Sequence, residues 1–162
     1  MTDTDSQPTH GEGSFTSVAS TTYSIAVRTS AIENAETAAL VFVQLIDENG
    51  NKTDRVKLKC SLTHRKKYQR GHSDLFLLVD QPLLARLKKI EIIHVPKETA
   101  NESEISWHCH SIMVLDHDSF SLYRFPCGQW IGSANVSVVK STNSITLDVE
   151  GEPYPIVPVN LW

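Results

Sequence analysis

Short runs of β-branched and aromatic residues, each closed by turn residues, recur along this chain, and no 3.6-residue hydrophobic period persists over a useful window. That combination points to an all-β fold. The runs span Tyr23 to Thr29, Leu40 to Ile46, Arg55 to Cys60, Asp74 to Val79, Leu87 to Val95, Trp107 to Leu115, Phe120 to Phe125 and Asn135 to Lys140. They predict an eight-stranded antiparallel β-sandwich. In the third run Val56, Leu58 and Cys60 alternate with Arg55, Lys57 and Lys59, so a period of two sets the three cations on one solvent face. Asn49-Gly50, tolerant of positive φ, suits a hairpin between the second and third strands. A further strand is expected from Ser144 to Val149, before a tail whose Pro153, Pro155 and Pro158 keep it out of a central position.

The 162 residues suffice for one domain with a real core, and 40% hydrophobic with 21% charged content is that of a globular chain. The expected division is a disordered arm over residues 1–21, a domain over 22–141 and a C-terminal extension over 142–162. Apolar runs such as Ala38 to Val43 are far too short to span a bilayer, and the first twenty residues hold no Lys, Arg or apolar segment of a secretory signal. The expectation is a cytoplasmic protein. Cys60, Cys109 and Cys127 form an odd set with no CxxC pair, which predicts buried, reduced thiols.

Charge is distributed unevenly behind the net value of −4. Residues 52–89 hold eleven Lys and Arg against three acids, while both flanks are acidic. Such a block concentrates at anionic partners.

Several landmarks occur in a fixed order. The first strand ends at Thr29, and Thr37 leads into the second after a loop. Then come Arg70-Gly71-x-x-Asp74-x-Phe76, Trp107 at the head of the sixth strand, and Phe125-Pro126-Cys127-x-x-Trp130. In this order the residues from 23 to about 140 resemble the PLAT/LH2 (lipoxygenase-homology) domain, a C2-like β-sandwich, and are most similar to the N-terminal domain of animal lipoxygenases. The resemblance implies a docking module that carries partner proteins to membranes and has no catalytic residues of its own. It also implies membrane contact at the tryptophan corresponding to Trp130. Calcium-binding members place carboxylates after the loop threonine, where this chain has Ala38 and Ala39, and often another acid where it has Ser106. Glu33, Glu36 and Glu104 do not restore a site with several hard oxygens, so calcium is not expected to bind.

Read from their own chemistry, Arg70, Gly71 and Asp74 form a tight turn in which glycine permits close approach and the guanidinium can pair with the carboxylate. That turn is either purely architectural or a contact. Trp107 belongs to the core, whereas Trp130, after Pro126 and Gly128 in an expected loop, is either packed or set at a headgroup boundary. His108 and His110 share a strand face, but two ligands with no second cluster do not make a metal site. No nucleophile elbow or phosphate-binding glycine loop is present in the sequence. Only Tyr68 is interleaved among the cations, which argues against a nucleic-acid partner.

The candidate contact residues are therefore Lys57, Lys59, Arg65, Lys66, Lys67, Arg70 and Trp130, facing an anionic membrane lipid or a protein partner, with no cofactor and no enzyme activity. Two alternatives accompany this expectation: the regulatory N-terminal piece of a lipoxygenase-like enzyme lacking its catalytic domain, and a scaffold that binds only proteins.

Overall fold

A computed structural model describes residues 19–97, 106–132 and 143–157. Among them the strands are β1 (Ser20–Thr29), β2 (Leu40–Asp47), β3 (Val56–Lys57), β4 (Ser73–Pro82), β5 (Leu87–Val95), β6 (Ser106–Asp116), β7 (Ser121–Gly132), β8 (Asn143–Asp148) and β9 (Tyr154–Pro155). No helix occurs in the described residues. Two antiparallel sheets, ordered β4-β1-β6-β7-β9 and β3-β2-β5-β8, form the expected sandwich.

Alternation explains the layering. Tyr23, Ile25 and Val27 from β1, and Val41, Val43 and Leu45 from β2, point inward on every second residue and are almost fully buried. Ile90 and Ile92 of β5 and Trp107, Ile112 and Val114 of β6 complete the core between the sheets. Each such side chain contributes about 1.5–3 kcal/mol through its removal from water. Trp107 is the largest of them, and its indole N–H donates to Thr29 Oγ1 (2.9 Å), so its one polar atom is satisfied inside the core.

The Asn-Gly turn after β2 is held by Asp47. Its carboxylate accepts from the Asn49, Asn51 and Ala85 backbone N–H groups, each at 2.9 Å, and Gly50 takes φ +84°. Burial works to raise the Asp47 pKa, but these donors outweigh it and hold the group below the usual carboxylate range.

The third strand is shorter than expected. Only Val56 and Lys57 join the ladder, opposite Val43 and Phe42. Beyond them Leu58 N–H still donates to Val41 O (2.9 Å), but the Leu58 and Lys59 carbonyls accept from Lys67 Nζ (3.1 and 2.7 Å), a side-chain partner in place of further backbone pairing. Arg55 lies outside the strand and pairs with Glu91 at 3.2 Å. The seventh strand is longer than expected, continuing through Pro126 to Gly132. Proline is tolerated there because β9 pairs only with Ser121 and Leu122, and among the described residues nothing pairs with the outer side of β7 at residue 126.

The strand expected near Ser144 is present as β8, paired with β5, and its Leu147 is in the core. The strand expected at residues 135–140 and most of the N-terminal arm, residues 1–18, lie outside the described residues; β1 itself opens at Ser20. Cys109 is buried and Cys127 half-buried against the core, but Cys60 is exposed, contrary to expectation. Its segment leaves the ladder after Lys57, so the strand alternation no longer turns it inward.

Candidate docking surface

One end of the sandwich gathers the β1–β2 loop (residues 30–39), the β3–β4 connection (residues 58–72), the end of β5, the start of β6 and the end of β7. Backbone bonds knit them together. Thr29 N–H donates to His72 O (3.0 Å), Gly71 N–H to Ser30 O (3.0 Å), Thr37 N–H to Tyr68 O (3.2 Å) and His108 N–H to Ala35 O (3.0 Å). Loops tied this way form a fixed platform for the side chains they carry.

Asp74 is the inner anchor of this end. Its carboxylate is fully buried, accepts from Ser61 Oγ (2.6 Å) and the Tyr68 backbone N–H (2.9 Å), and lies 3.5 Å from His64 Nδ1. The expected pairing with Arg70 does not form, because these donors already surround the acid and Arg70 faces solvent. Gly71 takes φ +78°, which L-residues rarely adopt, while a Cβ there would meet only Ala31 Cβ at an ordinary 3.8 Å. Its requirement is backbone conformation and not close approach.

Above this anchor a cleft of about 260 Å³ is lined by Thr37, Ala38, Ala39, Tyr68 and four cations, Arg65, Lys66, Lys67 and Lys97. Among the described residues no carboxylate lines it. Lys67 differs from its neighbours: it is tied to the Leu58 and Lys59 carbonyls and stands 5.7 Å from the centre of the Tyr68 ring. Its pKa is lowered first by burial and then by Lys57 and Lys97, so the cations lie near enough to repel one another. A bound anion would relieve that repulsion. Arg70 lines an adjoining cleft with Glu33, Glu36 and Gln69.

Trp130 lies in β7 and not in a loop. It is 48% exposed and meets the His108 ring edge-on at 4.9 Å. His108 Nδ1 is in turn 2.6 Å from Ser30 Oγ, in the loop that carries the exposed Ile32. The apolar rim and the cation-lined cleft therefore share one end of the fold. His108 and His110 are occupied with Ser30 and Ser111, and among the described residues no group of three His, Cys, Asp or Glu is placed to hold a metal.

The seven expected contact residues do not form one cluster. Arg65, Lys66 and Lys67 line the end cleft and Arg70 its neighbour, with Trp130 on the rim. Lys57 and Lys59 instead line a seam between the sheet edges, with Leu58, Leu77 and Val79. Lys97 was missed because it lies beyond the basic block, and only the β2–β5 pairing returns it to the cleft. Ile32, too, carries no sequence signal beyond its place in a loop.

The PLAT/LH2 domain model matches residues 23–146. Among curated proteins, lipoxygenase homology domain-containing protein 1 of Homo sapiens is 29% identical over 143 residues, covering 85% of this chain and 7% of that protein. Its Mus musculus counterpart is 31% identical over 114 residues, covering 70% of this chain and 5% of that protein. The chain thus spans less than a tenth of the relatives it matches. Of solved structures, the coral 8R-lipoxygenase superposes with TM-score 0.61 at 19% identity, over 79% of this chain and 17% of that one. The alpha toxin of Clostridium absonum gives TM-score 0.53 at 13% identity, over 82% and 32%. Both likenesses are of fold. With the family model matching most of its length and the sandwich in place, the chain belongs to the PLAT/LH2 family.

Proposed function

We propose that this chain is a non-catalytic docking module whose cation-lined end engages an anionic membrane surface without calcium. The observation that carries this reading is the end cleft, where four cations and, among the described residues, no carboxylate line the pocket beside Ala38 and Ala39. Near an anionic leaflet each exposed cation contributes about 1 kcal/mol. Arg65, Lys66 and Lys97 together therefore supply about 3 kcal/mol, roughly a hundredfold in partitioning. Trp130 and Ile32 add apolar contact at the headgroup boundary.

Coral 8R-lipoxygenase is described as calcium-activated through a C2-like domain. In the present chain a divalent cation entering the end cleft would meet Arg65, Lys66, Lys67 and Lys97, an unfavourable field with no carboxylate among the described lining residues. The module is read as cytoplasmic and peripheral at the membrane.

Co-sedimentation with vesicles tests the reading. The full chain should be retained by phosphatidylserine-containing vesicles and not by phosphatidylcholine alone, and Arg65→Glu/Lys66→Glu/Lys97→Glu should abolish retention. Equal retention on neutral vesicles, or an unaffected triple variant, would overturn it.

A further inference from the structure

β4 is the outermost strand of the five-stranded sheet, and only part of its free edge is used. Leu62 N–H donates to Leu75 O (2.8 Å), while Thr63 Oγ1 accepts from Leu75 N–H (3.3 Å) and donates to Ser73 O (2.9 Å). Residues 73 and 75 therefore turn their backbone groups away from β1. The strand period of two puts the Leu77 N–H and C=O on that same free edge. The chain's own 62–63 segment covers the first part of the edge and stops there. At the far end Asp80, with φ +53°, sits where the β1–β4 register shifts, and this irregularity ends the regular edge. The stretch around Leu77 and Val79 is left open among the described residues.

The surroundings of this opening are specific. Leu77 (47%) and Val79 (59%) expose their side chains on the outer face of the sheet, while Phe76 and Leu78 turn into the core. On the inner side the opening borders a seam of about 310 Å³ whose opposite wall carries Lys57 and Lys59. A strand added beside β4 would place alternate side chains against Leu77 and Val79, and the intervening ones toward the two lysines.

We propose that this edge receives an extended segment of a partner protein, alternating apolar and acidic residues, as an added strand of the sheet. The backbone supplies affinity through the Leu77 edge groups, and the alternating side chains supply specificity. A second copy of this chain fits poorly, because it would bring its own Lys57 and Lys59 toward those already present. Lipid chains have no donors or acceptors for the strand edge. This surface is separate from the Arg65, Lys66 and Lys97 cleft, so it does not depend on the lipid reading.

The test is an NMR titration of the full chain with capped heptapeptides alternating valine or leucine with glutamate. Saturable shifts and slowed exchange at the Leu77 and Val79 amides are expected. Replacing the peptide glutamates with lysine should weaken binding at least about tenfold, as should Lys57→Glu/Lys59→Glu in a protein whose melting temperature is unchanged. N-methylation of alternate peptide nitrogens on the pairing edge should abolish binding. The idea is overturned if no glutamate peptide binds at millimolar concentration, if shifts map to the end cleft, or if the lysine or N-methylated peptides bind equally well. Adding phosphatidylserine vesicles should leave peptide affinity unchanged; loss of peptide binding to them would show one shared site and overturn the separate edge site. Failure of the peptide arm leaves vesicle retention intact, so the two readings fail separately.

Discussion

The corner around Asp74 and the rim around Lys66 come from one short stretch of chain, yet they are built by opposite rules. At the corner, charge is internal: Asp74 is fully buried and accepts from Ser61 and Tyr68. At the rim, Arg65, Lys66 and Arg70 are exposed and make no ion pair among the described residues. Lys67 stands between the two regimes, facing the cleft but bonded to two carbonyls of the neighbouring segment. Adjacent cations can thus differ in role, and the number of bonds each one already makes separates structure from availability.

Breaking the corner should have the largest effect. Asp74→Ala leaves the Tyr68 N–H and the Ser61 hydroxyl without their acceptor inside the fold, and should cost about 2–4 kcal/mol in urea denaturation. Arg70→Ala, in the same sequence motif, should change stability by less than about 0.5 kcal/mol. Similar losses from both would mean that the motif acts as one unit after all.

Next comes the proton linkage at His94. The ring lies buried against Trp107, with Nε2 3.0 Å from Thr37 Oγ1, and burial pushes its pKa down to about 4. The unfolded chain takes up this proton near pH 6.5 but the folded one only near pH 4. Stability should therefore fall as pH drops through that window, by about 3 kcal/mol in all. His94→Phe should remove this component from a pH series of denaturation curves. An unchanged slope would place the proton uptake elsewhere.

Lys67→Met and Lys66→Met sharpen the contrast between tied and free cations. The first removes two hydrogen bonds and should destabilise by about 1–2 kcal/mol. The second should change stability by less than about 0.5 kcal/mol while reducing retention on anionic vesicles. Smallest in stability is Trp130→Ala, whose half-exposed ring gives up mainly its contact with His108; its effect should be seen on vesicles and hardly in melting.

The sandwich was legible because period-two burial is written directly into β1 and β2, and because Trp107 and Asp74 occupy fixed landmarks of the motifs. The end of the third strand was not legible, since it depends on Lys67 reaching back to carbonyls that the sequence leaves unassigned. Strand extension through Pro126 likewise depends on where β9 stops pairing with β7. The basic character of the surface was plain from composition, but its division was not. Lys57 and Lys59 fall to the seam and Lys97 joins the cleft only when β5 pairs with β2, a contact between residues far apart in the chain.

Docking through free cations without calcium is tested most directly by retention on phosphatidylserine vesicles, measured in chelator and in calcium across a salt series. Retention should be the same in chelator and calcium and should fall steeply as salt shortens the Debye length from about 10 Å toward 3 Å. Retention that appears only with calcium, or that is indifferent to salt, would contradict it.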